Sequence, residues 1–289
     1  MKLPPFDYAC PASISEAVNL LATHDGEAKA LAGGQSLVPM LAFRVASPTL
    51  LVDLRKLKDL RKVKISKDGV SLGAMVRWRD IEDHERLQKA QPLLCAAIEH
   101  VAHYQVRNRG TVGGSIAHAD PAAEMPGITL TCDAEIHVIG KNGARMIPAG
   151  QFFLGPLTTA LEPDEIIVEV KLPAWPAKRR WGFQEFSRRR GDFAMAAAAV
   201  FYDEDRSRKA SNAHVGVIGV GDTPLRLPQV EALLNGRVID EATIAEADKL
   251  ASASVNPSDD IHASAAYRKS LTGTMVERAL KDAVARSSK

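Results

Sequence analysis

The sequence predicts an α+β protein built in two or three lobes. Two hairpin signals, Asp68-Gly69 and Asn142-Gly143, each stand between runs of strand character. Helix-period segments lie between the strand-like runs. The last third carries strands and helices of its own. No internal repeat or low-complexity segment interrupts the 289 residues, a length that suits one large domain or two ordinary ones.

The elements follow in order. Ser13-Ile14-Ser15-Glu16 reads as a capping box, and Ile14, Ala17, Val18 and Leu21 continue it at helical spacing. Ala28 to Leu31 is a short apolar strand running straight into a glycine pair, and Leu50 to Leu54 reads as another strand. Val63 to Met75 forms the first hairpin. Leu94, Ala97, Ile98 and Val101 share a helix face that ends before Arg107-Asn108-Arg109-Gly110. Ile136 and Val138 pair with Met146 across the second hairpin. Ile166, Val168, Val170 and Leu172 alternate with charged residues, with Ile167 breaking the pattern. Pro173 to Ala177 is a linker by composition. Beyond it, Phe193 to Tyr202 and Ala213 to Val220 read as strands, and Val230 to Leu234, Ile244 to Leu250 and Ala265 to Val284 as helices.

Composition excludes several classes. Hydrophobic residues make up 46% and charged residues 25%, as in ordinary globular proteins. A net charge of +2 gives no reason to expect nucleic acid. Met1 to Asp7 has no apolar segment of the secretory kind, and the longest mostly apolar run, Phe193 to Tyr202, is too short to span a bilayer. A cytoplasmic location is therefore expected, with no transmembrane segment. Cys10, Cys95 and Cys132 stand alone without a CxxC, so neither an iron–sulfur cluster nor structural zinc is expected on this chain. His100 and His103, three apart on the helix read there, lack a third ligand, and no metal site is assigned.

The two glycine pairs carry the chemistry. Leu31-Ala32-Gly33-Gly34-Gln35-Ser36 and Thr111-Val112-Gly113-Gly114-Ser115 each place Gly-Gly before small polar residues. Glycine reaches positive φ and removes the Cβ that would hold a ligand away, and successive N–H groups then make an anion-binding concavity. A single pair is an ordinary turn. Two matching loops suit the pyrophosphate of a dinucleotide, and FAD is the cofactor expected. Neither loop is a Walker A or a G-x-G-x-x-G. Asp120 before Pro121 reads as a helix N-cap and also as an acceptor for ribose or ribityl hydroxyls. Lys29 is either a phosphate contact or a plain exposed lysine. Arg188-Arg189-Arg190 is either a docking patch or a solvated charge run.

These residues resemble the FAD-binding medium subunit of the molybdenum hydroxylases, the carbon monoxide dehydrogenase type related to the flavin domain of xanthine dehydrogenase. The likeness rests on Ala32 to Pro39, on Arg107-Asn108 leading into Thr111 to Pro121, on Phe186 to Ala194, and on Tyr267-Arg268-Lys269. It implies a two-lobed FAD-binding domain of the vanillyl-alcohol oxidase (PCMH) type over residues 1–176, with lobes of about 1–55 and 56–176. A small α+β C-terminal domain over 177–289 would carry a three-stranded sheet and helices.

The resemblance further implies non-covalent FAD. Ala32, Gly33, Gly34, Gln35, Ser36 and Leu37, with Thr111, Gly113, Gly114 and Ser115, would hold the pyrophosphate. Lys29 would lie on the adenine side and Asp120 and Glu124 on sugar or ribityl hydroxyls. Ile166 and Ile167 would pack near the flavin or adenine, and Phe193 close to the isoalloxazine. No residue of this chain is expected to be catalytic. Molybdopterin and two [2Fe–2S] clusters would sit on large and small partner subunits, in a dimer of heterotrimers, a heterohexamer. The rival expectation is a self-contained FAD oxidase of the vanillyl-alcohol oxidase type. Many relatives carry lysine where this chain has Glu185, and others carry an acid there. An ionised Glu185 about 6 Å from the flavin would oppose its anionic reduced form by roughly 3 kcal/mol at an effective dielectric near 20. That corresponds to a potential on the order of 60 mV more negative.

Overall fold

The computed structural model describes residues 2–286, and the last residues of the expected second domain, 287–289, lie outside them. The first lobe runs β1 (Asp7–Ala9), α1 (Ile14–Ala22), β2 (Ala28–Leu31), α2 (Leu37–Ala42) and β3 (Leu50–Asp53). Its sheet is parallel in the order β1-β3-β2. The central strand β3, Leu-Leu-Val-Asp, is buried along its whole length, so it shows no alternation. The capping box expected at α1 is present in substance: Ser13 Oγ accepts from the Glu16 N–H at 3.1 Å, while Glu16 reaches back to the Ala12 N–H at 2.8 Å.

The second lobe opens with the hairpin of β4 (Val63–Ser66) and β5 (Gly69–Gly73). A helical run follows: α3 (Trp78–Glu82), α4 (Glu85–Ala90), α5 (Pro92–Ile98), α6 (Tyr104–Arg107), α7 (Val112–His118) and α8 (Glu124–Thr131). The hairpin β6 (Glu135–Gly140) and β7 (Gly143–Pro148), a small hairpin β8 (Phe153–Gly155) and β9 (Thr158–Thr159), and the long strand β10 (Ile166–Pro173) complete it. The antiparallel sheet has the order β4-β5-β10-β6-β7. The irregular Ile167 now has a reason. The β10–β6 register slips between Ile167 and Glu169, so Ile166 and Ile167 are both buried, at 2% and 5% exposure. His100 and His103 do not share a helix: α5 ends at Ile98, and His103 precedes α6.

The third unit contains β11 (Arg180–Phe186), β12 (Ala196–Glu204), β13 (Ala210–Ile218), the two-residue β14 (Leu225–Arg226), α9 (Pro228–Leu234), α10 (Glu241–Ala253) and α11 (Ala265–Ala285). The sheet is antiparallel, with three long strands and the short β14 at its edge. The strand expected from Phe193 begins only at Ala196, leaving Phe193 in the preceding loop. Both faces of β12 are covered, which its Ala-rich sequence permits. Ala197, Ala199 and Phe201 join the core of the second lobe, while Ala196, Ala198, Val200 and Tyr202 join a core with α9, α10 and α11. Gly182 in β11 presses on α11 so closely that a Cβ would lie 2.0 Å from the Ala279 carbonyl oxygen.

Candidate functional site

A cleft of about 1650 Å³ runs between the three units. It exceeds the roughly 300–1,000 Å³ of an ordinary small-molecule pocket, which favours an extended ligand. All of the residues picked out from the sequence line it: Lys29, Ala32, Gly33, Gly34, Gln35, Ser36, Leu37, Thr111, Gly113, Gly114, Ser115, Asp120, Glu124, Ile166, Ile167 and Phe193.

The first glycine loop joins β2 to α2. Gly34 adopts φ +74°, the left-handed region where glycine avoids a steric penalty. Gln35 Nε2 donates to the Gly33 carbonyl at 3.1 Å and closes the turn. Among the described residues no carbonyl or side chain accepts from the backbone N–H groups of Gly33, Gly34, Gln35 and Ser36. A run of four such donors on a cleft wall suits an oxyanion.

The second glycine pair is not a loop of that kind. It forms the first turn of α7, with Thr111 as N-cap, its Oγ1 accepting from the Gly114 N–H at 3.2 Å. Val112 N–H donates to Val76 at 2.9 Å and Gly113 N–H to Ala74 at 2.8 Å. These amides are therefore already engaged, and neither Gly113 nor Gly114 has positive φ. The pair is glycine for packing. A Cβ on Gly113 would lie 2.5 Å from Ala74 Cβ, and one on Gly114 would lie 2.8 Å from Thr111 Oγ1 and 3.4 Å from Ala32 Cβ. Gly33 answers from the other side, where a Cβ would lie 2.2 Å from the Arg109 carbonyl oxygen. The two glycine pairs thus let two segments far apart in sequence close on each other.

Asp120 does not cap a helix. Its Oδ1 accepts from the Ala122 N–H at 2.9 Å in a tight turn, and α8 begins three residues beyond Pro121 with Ala123 as N-cap. The proline starts the turn instead of the helix. Its carbonyl accepts from the Gly219 N–H at 2.9 Å, tying the cleft wall to the third unit. Lys29 is exposed in mid-strand on β2. Phe193 is 67% exposed at the cleft.

Titration is unusual at one end. Burial pushes the Glu124 carboxyl up to about 7, with the Asp120 charge adding to it. Burial also holds His118 below its ordinary value, against a pull from Asp120. Glu185, whose direction the sequence leaves open, does not line the cleft. Its side chain is 2% exposed, and burial first and Glu124 second push it up to about 9. Both causes favour its neutral form, which works against an electrostatic penalty on an anionic flavin.

Arg268 supports the site in a way the sequence does not announce. Placed by the resemblance at the start of the last helix, it is 8% exposed. Its Nη1 donates to the carbonyls of Met195 and Gly219, each at 2.7 Å, and its Nη2 to Asp260 at 2.7 Å. It locks α11 to the start of β12 and to the 256–260 segment of the cleft wall. A single Arg at a helix start gives no sequence signal of this.

Fold and cleft together define a dinucleotide-binding flavoprotein architecture with an appended small domain, and comparison with known proteins agrees. The family described as the FAD binding domain in molybdopterin dehydrogenase matches residues 4–175, and the CO dehydrogenase flavoprotein C-terminal domain matches residues 181–283. The chain is 39% identical over 287 residues to the 6-hydroxypseudooxynicotine dehydrogenase complex subunit alpha of Paenarthrobacter nicotinovorans, covering 99% of this chain and 97% of that one. A solved carbon monoxide dehydrogenase from Hydrogenophaga pseudoflava superimposes with a TM-score of 0.96 at 37% identity, over 99% of both chains. Quinoline 2-oxidoreductase from Pseudomonas putida 86 gives 0.95 at 38% identity, over 100% of both.

The chain belongs to the family of FAD-binding medium subunits of the molybdenum hydroxylases. It is an FAD-binding oxidoreductase subunit, and its relatives are named as medium or FAD-binding subunits of multi-subunit dehydrogenases. The comparisons support this reading and not that of a self-contained oxidase. No helix among the described residues is long and apolar enough to cross a membrane.

Proposed function

We propose that FAD lies along the cleft with its pyrophosphate on the free N–H groups of Gly33 to Ser36. That run of unpartnered donors is the observation that carries the assignment. Ala32 and Leu37 flank the cradle, and Thr111, Gly113, Gly114 and Ser115 close it from α7. Lys29 serves the adenine side, Asp120 and Glu124 accept from sugar or ribityl hydroxyls, and Ile166 and Ile167 give the cofactor an apolar floor. Phe193 covers the ring from the loop before β12. Bound FAD supplies two-electron redox chemistry. The protein orients it, and burial keeps Glu124 on the cleft wall from adding full negative charge beside it.

In this reading residues 1–176 form the FAD domain and 177–289 the C-terminal domain. The chain works in the cytoplasm, in a dimer of heterotrimers with a large molybdopterin-binding and a small [2Fe–2S] subunit. The names of its relatives point to an N-heterocycle or another small reduced compound as substrate of the assembly. Titrating flavin-free protein with FAD tests the site. Gly34→Ala, which forces a side chain into positive φ, should weaken binding by roughly tenfold, the equivalent of 1–2 kcal/mol. Unchanged affinity would remove the first glycine loop from the site.

A further inference from the structure

Arg107 does not line the cleft, yet it is bonded to residues that do. It closes α6, and its side chain, 18% exposed, turns back to the backbone that precedes that helix. Nε donates to Glu82 Oε1, at the end of α3, at 2.9 Å. Nη1 donates to the carbonyls of Val101 and Ala102 at 3.0 and 3.2 Å. Glu82 also has Arg79 Nη1 at 3.9 Å from its Oε2. One planar guanidinium thus joins a helix end to two successive carbonyls, a fork that an ammonium group does not reproduce.

The backbone it holds is unusual. Ala102 has φ +42°, in the left-handed region that a residue with a side chain occupies only at a cost. Such a conformation persists where its surroundings fix it, and Arg107 fixes it through the carbonyls of Val101 and Ala102. The Ala102 carbonyl also meets Gly191. A Cβ at Gly191 would lie 2.5 Å from that oxygen, and Gly191 itself has φ +88°. Gly191 therefore rests the 187–195 loop directly on the backbone of the second lobe. At the base of the loop the Met195 N–H donates to the Phe186 carbonyl at 2.8 Å, and Ala194 is buried in the core of the second lobe. Phe193 stands between these two anchors, exposed on the cleft that Val101, Ala102 and His103 also line.

The contacts run in one line from Glu82 through Arg107 and Ala102 to Gly191, two residues before Phe193. We propose that Arg107 is a positioning residue for the ring end of the cofactor. By fixing the Ala102 carbonyl it sets where the Gly191 loop rests, and so holds Phe193 over the ring. This rests on the FAD reading above. The pyrophosphate donors of Gly33 to Ser36 belong to the first lobe, so the two ends of the site can be perturbed separately.

The test uses the complete complex freed of flavin, titrated by calorimetry with FAD and, separately, with ADP. ADP carries the adenosine and pyrophosphate without the ring. Arg107→Lys keeps the charge and loses the fork. An aromatic contact is worth about 2- to 10-fold in affinity, so this variant should weaken FAD by about that factor and leave ADP unchanged. Phe193→Ala should do the same. The two together should weaken FAD no further than Phe193→Ala alone, because both remove one contact. Gly191→Ala displaces the loop without touching Arg107, and should reproduce the pattern if Arg107→Lys fails to fold. Equal losses of FAD and ADP affinity would reduce Arg107 to support of the fold and overturn the proposal. Unchanged FAD affinity, or losses that add in the double variant, would overturn it too. An unmodified complex that binds FAD no more tightly than ADP overturns the FAD reading instead, and the proposal with it.

Discussion

Replacing Gly114 by Val separates what the second glycine pair does for the fold from what it does for the cofactor. Gly114 is helical, so the substitution meets no backbone penalty and gains a few tenths of a kcal/mol in helix propensity. The new Cβ lies 2.8 Å from Thr111 Oγ1, a rotatable side-chain atom, and 3.4 Å from Ala32 Cβ. Thr111 must turn away and give up its cap on the Gly114 N–H, at about 1 kcal/mol. The two stability terms nearly cancel. The Val methyl groups extend toward the Ala32 loop and into the cleft that Gly114 lines, where they spread or fill the pyrophosphate cradle. Losing one or two hydrogen bonds to a charged ligand, each worth roughly 1.5–3 kcal/mol, weakens FAD by at least about tenfold. The assay is a thermal melt of the flavin-free protein together with an FAD titration. The expected outcome is a melting temperature within about 2 °C of the unmodified protein with flavin binding lost or strongly weakened. Full flavin affinity in the folded variant would refute the placement of the pyrophosphate between these two segments. Gly33→Ala and Gly113→Ala form the contrast. Their Cβ atoms meet backbone or a buried methyl at 2.2 and 2.5 Å, so both should lower stability itself.

Arg268→Met leaves the Met195 and Gly219 carbonyls without their donor, and should lower stability by about 3 kcal/mol, or about 6–12 °C in melting temperature; a shift under about 2 °C would show that the lock is not needed. Glu185 gives a pH signature. Its carboxyl is raised from 4.5 to about 9 on folding, so between those values the folded chain holds a proton that the unfolded chain has lost, and stability falls as pH rises, by up to about 1.4 kcal/mol per pH unit. Glu185→Gln should therefore stabilise the protein, and more at pH 8.5 than at pH 5.5; an equal effect at both would show that Glu185 is not held protonated. Phe193→Ala, at an exposed loop position, should leave stability unchanged within about 0.5 kcal/mol and weaken FAD about 2- to 10-fold, as read by melting and by flavin titration; an unchanged titration would take Phe193 out of the site.

Much of this was legible because local rules and tertiary structure agree. The capping box at Ser13, both hairpins, and the strand leading into Gly33 are each set by residues within a few positions. The second glycine pair was legible as a site but not as a shape. Gly-Gly reads as a loop, yet here a Thr111 cap and the Ala74–Val76 carbonyls hold it as the start of a helix. Asp120-Pro121 read as a helix start for good local reasons, and the Gly219 contact to the Pro121 carbonyl favours a turn instead. The strand β11 gave no signal because Arg180 to Phe186 is amphipathic only with respect to two different partners, the second lobe on one face and α11 on the other. For the same reason the direction of Glu185 was not readable. It depends on which face of β11 meets α5 and which meets α11, a fact fixed by domain packing rather than by neighbouring residues.

The most direct test of the whole account is to purify the chain with its natural partners and count flavin, iron and molybdenum per copy. The account predicts about one FAD, four irons and one molybdenum, the content of two [2Fe–2S] clusters and one molybdenum centre held by partner subunits. Flavin in full amount with neither metal would contradict it and point to a flavoprotein that works alone.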